Sequence, residues 1–301
     1  PATGGTPRQI SNIPSEKRSG QGEWIDNNKI IFSANLNEDS DYNTNNTELY
    51  ILDIISGKHE AITDRDGPDF SPKVSNDRSL IAYLGYDDKY LSYQQSSIYV
   101  MRRDGSDKYK IEMDLDRNIS NIYWSGNDKR IYFQYDDNGI TKIGSTTLDG
   151  SQETVVDEVG GLSCSRPYSG GFFSLSKNNR YSFTYGTAYN PADLAVGYKG
   201  SKKRLTNLNK DLFDYKKLGN VEEIWFESSY DGKMIHGWIV KPPNFDSSKK
   251  YPLILEIHGG PHTNYGFHFS SEVQLFASKG YVVLYTNPRG STSYGKEFAN
   301  L

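Results

Sequence analysis

The chain has 301 residues, with 34 Lys and Arg, 38 Asp and Glu and a formal net charge of −4. These charges form no long block of one sign, so we expect neither nucleic acid nor a membrane surface as a partner. No apolar stretch approaches the ~18 residues of a membrane span, and the single Cys164 excludes an intramolecular disulfide, which suits a reducing compartment and leads us to expect a cytoplasmic location.

The first two thirds of the sequence contain a repeat of about 50 residues. Each unit has a strand end, a polar turn rich in Asn, Asp or Gly, and then an alternating strand. The four units are marked by Trp24, Val74, Trp124 and Leu175. A second alternating strand in each unit ends in a glycine turn, at Gly57, Gly105, Gly150 and Gly200. Short alternating strands indicate an all-β architecture, and this period favours a β-propeller of four-stranded blades.

We therefore predict a partial β-propeller with four full blades over residues 1–217. A β-sandwich would also give alternating strands and polar turns, but it would not be expected to repeat one turn pattern at constant spacing. Gly5 is predicted to close a fifth, incomplete unit. The basic stretch from Lys199 to Lys210 could bind an acidic partner, but we interpret it as a solvated blade edge, where Lys discourages edge-to-edge pairing.

The character of the sequence changes after the fourth unit. Two alternating strands, over 221–229 and 234–241, flank Asp231 and Gly232, a pair that predicts a hairpin with a type I′ turn. Two nearly continuous apolar runs follow, over 253–257 and 281–285. Such runs are typical of parallel strands that are buried on both faces.

One helix is predicted between the two apolar runs. Phe269 and Val273 fall on one face at helical spacing. Ser271 and Gln274 have the spacing of a capping box, and Gly280 is a suitable stop. A hairpin that leads into strand, helix and strand is typical of the opening of an α/β-hydrolase sheet.

Both apolar runs lead into glycine-containing turns. The first run ends in His-Gly-Gly-Pro, the glycine turn (258–261), and the second leads into Asn-Pro-Arg-Gly-Ser, the 287–291 loop. In an α/β-hydrolase, a glycine turn after an early strand supplies a backbone N–H to the oxyanion hole. Adjacent glycines leave that N–H uncrowded, and Pro261 stiffens the turn.

These motifs together resemble the prolyl oligopeptidase family of serine peptidases, and within it the acylaminoacyl-peptidase branch. The residues that carry the resemblance are Ser229, Asp231, Gly232, Ile235, Gly237, 258–261, 287–291, Tyr294 and Gly295. The resemblance implies a propeller that restricts access to peptides, followed by the start of an α/β-hydrolase domain over residues 218–301. It implies no cofactor.

The resemblance also implies an oxyanion hole at the glycine turn. Gly260 is the candidate amide donor and Gly259 gives clearance beside it, while His258 and Pro261 support the turn. Other branches of the family place a Tyr where this chain has His258, and there the tyrosine hydroxyl is a donor. The difference leaves backbone amides as the expected donors in this chain.

Two other features of this region are less specific. Arg289 and Gly290 belong to a loop that we expect next to the active site, and we favour a role for Arg289 in anchoring neighbouring groups over contact with substrate. His258, His262 and His268 could be imagined as zinc ligands. They lie in a turn bracketed by Gly and Pro with no nearby Cys, so we predict no metal site.

The sequence contains no Gly-x-Ser-x-Gly nucleophile motif. Ser291 and Ser293 lie in a related stretch, but they precede the place where a nucleophile falls in this fold. The triad order Ser, Asp or Glu, His puts all three members later still. We therefore expect the triad beyond Leu301, interpret the sequence as a segment of a longer protein, and predict that this chain alone is inactive.

The function predicted from the residues and the resemblance is a serine peptidase that hydrolyses short or N-acylated peptides through an acyl-enzyme. One alternative is an esterase-type α/β-hydrolase, which an access-restricting propeller disfavours. Another is a non-catalytic propeller that binds peptide or protein partners, because the triad is absent from this chain. A peptide is the expected partner, and self-association into a homo-oligomer stays open.

Overall fold

The computed structural model of the chain describes residues 4–6, 9–11, 13, 20 and 22–300. The described chain forms five four-stranded sheets and three helices. Within these residues, no helix is long and apolar enough to cross a bilayer. Most of the predicted fifth unit around Gly5 falls outside the described residues, as does Leu301.

The first four sheets share one topology, in which four consecutive strands pair antiparallel with their neighbours. The first sheet comprises β1 (Glu23–Trp24), β2 (Lys29–Ala34), β3 (Glu48–Asp53) and β4 (His59–Ala61). The second comprises β5 (Asp69–Val74), β6 (Leu80–Gly85), β7 (Ser97–Arg102) and β8 (Tyr109–Lys110). The third comprises β9 (Ile119–Trp124), β10 (Arg130–Asp137), β11 (Ile140–Thr147) and β12 (Gln152–Val159). The fourth comprises β13 (Phe173–Leu175), β14 (Tyr181–Thr187), β15 (Asn190–Tyr198) and β16 (Ser201–Arg204).

The predicted repeat landmarks coincide with fixed points of these sheets. The four lead residues each end the first strand of a sheet, at Trp24, Val74, Trp124 and Leu175. The four glycines lie between the third and fourth strands and have φ angles of 73°, 86°, 91° and 79°. Glycine adopts positive φ without steric cost, so it is suited to these chain reversals. The four-unit repeat is therefore confirmed as four successive four-stranded sheets.

The first hairpins of neighbouring sheets bond to each other. In the second sheet, the backbone N–H and side-chain amide of Asn76 donate to Asp128 Oδ1 of the third sheet, at 2.8 and 2.7 Å. The Gly126 N–H of the third sheet donates in turn to Asn179 Oδ1 of the fourth, at 2.7 Å. The Asn and Asp residues of the repeated turn pattern thus connect adjacent sheets.

Hydrophobic clusters fill the spaces between successive sheets. Tyr83 belongs to the cluster between the first and second sheets. Val100 and Phe133 belong to the cluster between the second and third, and Ile143 and Phe183 to that between the third and fourth. Burial of apolar surface between neighbours therefore stabilises the sheets in chain order.

Two carboxyl groups are buried between the first and second sheets. Glu48 is 6% exposed and Asp69 is 1% exposed. The Arg65 Nε lies 3.0 Å from Asp69 Oδ1 without being aligned for a hydrogen bond, and Glu48 Oε2 has no hydrogen-bond partner among the described residues. Burial raises the pKa of Glu48 to about 7 and the pKa of Asp69 to about 6.

We expect the contribution of Glu48 to the free energy of unfolding to fall as the pH rises from about 4.5 to about 7. In this range the folded chain holds a proton that the unfolded chain has released, so this stabilisation is complete below pH 4.5 and is lost above the folded-state pKa. Relative to the parent chain, Glu48→Gln should gain up to about 3 kcal/mol of stability between pH 5 and pH 8.

Urea unfolding at both pH values measures this difference. The control is Glu60→Gln, which removes a carboxyl group at an exposed position of β4. A Glu48→Gln variant with the parent's pH profile would show that the buried carboxyl does not titrate as described.

The fifth sheet is mixed and follows the helix α1 (Lys210–Phe213). Its strands are β17 (Asn220–Glu227), β18 (Met234–Lys241), β19 (Leu253–Ile257) and β20 (Val282–Asn287), in the order β17-β18-β20-β19. The β19–β20 pair is parallel, as predicted, and the other pairs are antiparallel. The helix α2 (Ser271–Ser278) connects β19 with β20, and α3 (Lys296–Ala299) follows β20.

The predicted helix is confirmed as α2, but its predicted cap is wrong. Ser270, rather than Ser271, is the N-cap, and its Oγ accepts a backbone N–H of the first turn at 3.2 Å. Gln274 does not form a capping box because its side chain accepts the Gly219 N–H at 2.7 Å and donates to the Gly219 carbonyl at 3.2 Å. Gly280 has a φ of +89° just beyond the helix, which suits the predicted stop.

The hairpin between β17 and β18 is confirmed, but its turn is not of type I′. The connection 228–233 is longer than the two residues of such a turn. Type I′ needs positive φ at both central residues, and of the predicted pair only Gly232 has it, at +69°. The Asp231 carboxylate accepts the Lys233 N–H at 3.3 Å and is also paired with Arg289.

The prediction that both parallel strands are buried on both faces is wrong for β19. Its residues Leu253, Leu255 and Ile257 are 60%, 52% and 58% exposed. In the described chain β19 is the edge strand of the sheet, and α2 belongs to the hydrophobic cluster on the face that carries Ile254.

Candidate active site

The candidate site lies where the two parallel strands end. The carboxyl ends of parallel strands meet at the same edge of a sheet, and β19 pairs with β20 through residue pairs such as Ile257 and Thr286. The glycine turn (258–261) begins directly after β19, and the 287–291 loop begins at the last residue of β20. The sequence motifs are therefore adjacent in space.

The two glycines of the turn have different surroundings. Gly260 has a φ of +134°, which side-chain-bearing residues rarely adopt, and a Cβ there would lie 2.9 Å from the His262 nitrogen. A Cβ at Gly259 would meet no atom within 4 Å. The Gly260–Pro261 peptide is cis. The Gly260 N–H donates no hydrogen bond to any described residue.

His258 is buried at the base of the turn and is 5% exposed. Its Nδ1 lies 3.0 Å from the Gly259 carbonyl oxygen, and its Nε2 lies 2.9 Å from Ser291 Oγ. The fully buried Ser291 hydroxyl also donates to the Pro288 carbonyl at 2.5 Å. This link between the turn and the loop was not predicted from the sequence, where Ser291 was assigned no contact with His258.

Asn287 forms a second link that was not predicted from the sequence. It is fully buried, and its Oδ1 accepts the Tyr265 N–H at 2.8 Å. Its Nδ2 donates to the Tyr265 carbonyl at 2.8 Å and to the Tyr294 hydroxyl at 2.7 Å. The Tyr265 ring packs edge-on against His258, with 5.1 Å between ring centroids. Asn287 therefore contacts the residue that packs against the base of the turn.

Arg289 and Gly290 each contact a neighbouring segment of the site. Arg289 Nη1 lies 3.0 Å from Asp231 Oδ2, and the guanidinium lies over the Tyr230 ring at 4.9 Å from its centroid. Arg289 thereby connects the 287–291 loop to the hairpin connection between β17 and β18. The Gly290 carbonyl oxygen lies 3.2 Å from His262 Nδ1.

The three histidines of this region contact different groups. His258 bonds to the loop, whereas the His262 ring packs against Tyr93 with 5.4 Å between centroids. His268 Nδ1 accepts the Gly161 N–H at 3.3 Å. In the part of the chain that the structure describes, no three His, Cys, Asp or Glu side chains are grouped closely enough to hold a metal ion.

His268 is buried without full hydrogen bonding. It is 5% exposed, and its Nε2 has no hydrogen-bond partner among the described residues. Burial lowers its pKa to about 4. The unfolded chain binds a proton at pH values near 6.5 and below, where the folded chain does not. The contribution of His268 to stability is therefore complete above pH 6.5 and is lost as the pH falls toward 4.

We expect His268→Gln to remove this loss. Relative to the parent chain, the variant should gain up to about 3 kcal/mol of stability when the pH is lowered from 7.5 to 4.5. Chemical unfolding at the two pH values measures it, with the exposed His59→Gln as the control. Equal pH dependence in His268→Gln and the parent would contradict the prediction.

A polar cavity of about 280 Å³ lies between the third sheet and the segments that follow the glycine turn and the 287–291 loop. Its lining includes His262, Thr263 and Asn264 after the turn, Thr292 and Ser293 after the loop, and Ser120, Gln134, Tyr135 and Asp136 of the third sheet. Asn264 is 3% exposed; its Oδ1 accepts from Thr292 Oγ1 at 2.7 Å, but its Nδ2 has no partner among the described residues. Asp136 accepts from Thr141 at 2.6 Å, and burial raises its pKa.

Direct contacts join the third sheet to the loop region beside this cavity. The Gly139 N–H donates to Ser293 Oγ at 2.8 Å, and the Asn138 N–H donates to the Ser293 carbonyl at 3.0 Å. Ser169 Oγ donates to the Gly139 carbonyl at 2.7 Å. Ser293 is 5% exposed, so its hydroxyl serves this contact.

Comparisons with known proteins agree with the motifs. The model of the prolyl oligopeptidase family matches residues 267–301. The uncharacterised peptidase YuxL of Bacillus subtilis (strain 168) is 39% identical over 130 residues, which are 42% of this chain and 20% of YuxL. Dipeptidyl-peptidase 5 of Schizosaccharomyces pombe is 26% identical over 297 residues, which are 95% of this chain and 41% of that protein.

The fold is also similar to that of a solved peptidase. An acylaminoacyl peptidase in complex with Z-Gly-Gly-Phe-chloromethyl ketone matches with a TM-score of 0.77 and 24% identity, over 95% of this chain and 42% of that one. The described sheets thus share the fold of part of that structure. The match to the family model over residues 267–301 agrees with the predicted resemblance to the prolyl oligopeptidase family, and the chain spans about two fifths or less of the length of these relatives.

Proposed function

We propose that the chain comprises a β-propeller over residues 1–217 and the first part of an α/β-hydrolase domain over residues 218–301. The four meander sheets, their contacts in chain order and the similarity to an acylaminoacyl peptidase support the propeller. The mixed sheet with its parallel β19–β20 pair and connecting helix supports the hydrolase domain.

We further propose that this domain belongs to a serine peptidase that hydrolyses short or N-acylated peptides through an acyl-enzyme. The observation that carries the proposal is the Gly260 N–H, which is unpaired among the described residues in a turn at the carboxyl end of a parallel strand. Serine attack on a peptide carbonyl creates an oxyanion, and a preorganised N–H donor stabilises that oxyanion by about 3 kcal/mol. Gly259 leaves the approach open.

The neighbouring cavity supports a peptide as the substrate. Asn264 Nδ2 is a buried donor without a partner among the described residues, and leaving such a donor unpaired costs about 1–3 kcal/mol. A peptide carbonyl would satisfy it. The cavity volume of about 280 Å³ suits a short peptide segment better than a folded chain.

The substrate class can be tested with the natural full-length protein. Its hydrolysis of N-acetyl amino-acid anilides, dipeptide anilides with a free amino group and p-nitrophenyl esters would be compared. Turnover of either anilide supports a peptidase, and preference for the acylated one supports the acylaminoacyl type. Turnover of the esters alone would overturn the peptidase proposal in favour of an esterase.

A further inference from the structure

The glycine turn needs support from outside itself. Gly259 and Gly260 are both exposed, and glycine loses more backbone freedom on folding than any other residue. The turn also follows β19, which is an edge strand in the described chain. A catalytic N–H on such a turn stays in place only if neighbouring groups fix the chain on both sides of the glycines.

The 287–291 loop supplies contacts on both sides. Before the glycines, Ser291 Oγ lies 2.9 Å from His258 Nε2. After them, the Gly290 carbonyl oxygen lies 3.2 Å from His262 Nδ1. Further along, the Asn287 side chain bonds to both backbone groups of Tyr265, at 2.8 Å each. The two glycines are therefore bracketed by bonds to one short loop.

We propose that Asn287 and Ser291 are positioning residues for the glycine turn, holding the Gly260 N–H in the geometry that the reaction needs. The proposal rests on the proposed function of the turn as part of an oxyanion hole. Neither residue touches the reacting atoms in this account. They act through His258 and Tyr265, whose rings pack against each other.

The chemistry of Asn287 suits this role. A primary amide both accepts and donates, so one side chain satisfies the Tyr265 N–H and carbonyl together. Asp at this position would retain an acceptor but lose the donor. Asn287 is also the last residue of β20 and pairs with His236 of β18, so the sheet fixes its position.

The loop is itself anchored. Arg289 pairs with Asp231 at 3.0 Å, and its guanidinium lies over the Tyr230 ring. Ser291 Oγ donates to the Pro288 carbonyl within the loop. The contacts to the turn therefore come from a loop that is attached to the connection between β17 and β18.

The experiment uses Ser291→Ala and Asn287→Asp in the natural full-length protein. For Ser291→Ala we expect kcat for a peptide anilide to fall on the order of 10- to 100-fold, with KM changed by less than about threefold. Amide hydrogen exchange in a peptide covering the glycine turn should become about 10-fold faster. If Asn287→Asp does not fold, Ser291→Ala decides the question.

The control for a loss of stability is Thr63→Val. Thr63 is 3% exposed in the meander region, and its Oγ1 accepts the Leu49 N–H at 2.8 Å, so its loss also leaves a buried group unpaired. This variant should be destabilised while kcat and exchange at the turn stay unchanged. A Thr63→Val variant that loses as much kcat as Ser291→Ala would assign the effect to stability and overturn the proposal.

The outcomes separate the proposal from the function on which it rests. Unchanged exchange at the turn in Ser291→Ala would overturn the positioning role whatever the activity. Faster amide exchange at the turn with unchanged kcat would show that holding the turn in place does not matter for the reaction. A parent protein without anilide turnover would overturn the proposed function, whereas the exchange measurement would still decide whether the loop holds the turn.

Discussion

Replacing Gly260 by Ala in the natural full-length protein is expected to lower kcat/KM for peptide anilides by about 100- to 1,000-fold. A Cβ at this position would lie 2.9 Å from the His262 nitrogen, and the φ of +134° is strained for Ala. The turn must therefore move, and the Gly260 N–H moves with it. Kinetics on purified enzyme measure the effect, and a Gly260→Ala variant with parental kcat/KM would contradict the assignment.

Gly259→Ala is the matched variant in the same turn. Its Cβ would meet no atom within 4 Å, so the melting temperature should equal that of the parent. If Gly259 gives clearance to the substrate, kcat/KM should nevertheless fall, by about 10-fold or more. A lower kcat/KM with an unchanged melting temperature in Gly259→Ala would show that the added Cβ crowds the substrate. Unchanged activity would restrict the role to Gly260.

The largest effect on stability is expected at a glycine far from this turn. In Gly126→Ala, the Cβ would lie 1.6 Å from the Lys177 carbonyl oxygen, where the first hairpins of the third and fourth sheets meet. Backbone cannot give way there as a flexible side chain could. We expect the free energy of unfolding to fall by about 4 kcal/mol or more. The yield of soluble protein should fall with it.

Gly200→Ala is the control for this variant. Gly200 has a φ of +79° but a Cβ there meets no atom within 4 Å, so only backbone strain of about 1 kcal/mol is expected. Thermal or urea unfolding of the two variants compares the cost of a steric clash in Gly126→Ala with the cost of backbone strain in Gly200→Ala. Equal destabilisation would show that the two hairpins are not in the contact described here.

The fold was predictable from sequence where its causes are local. Strand alternation and turn residues recur within each unit, and Trp24 and Gly57 already mark the two chain reversals that the later units repeat. The predictions that failed depend on distant residues. Gln274 bonds to the distant Gly219 rather than to the start of α2, and Asp231 pairs with the distant Arg289 as well as accepting the Lys233 N–H in its own turn.

The exposure of β19 was likewise not predictable from its own residues. The run Leu253–Ile257 is apolar enough to be covered on both faces, but composition does not say which element covers each face. The structure shows α2 on one face and exposed Leu253 and Leu255 on the other. Composition thus predicted the strand and its parallel partner but not its surroundings.

The candidate site was predicted in part. The glycine turn was found because adjacent glycines after an apolar run have a chemical reason to be there. Ser291 and Asn287 were missed as partners of the turn, because their bonds to His258 and Tyr265 join residues that no local pattern relates. The signal that could have found them is their place in the motif that carries the family resemblance.

The most direct test of the central claim is the intact mass of the natural protein after incubation with a fluorophosphonate serine probe. A serine peptidase with its triad later in the sequence should give one covalent adduct on a protein well above the 34.0 kDa of this chain. A natural protein of about 34.0 kDa that carries no adduct would contradict the account. It would favour a propeller that binds its partners without catalysis.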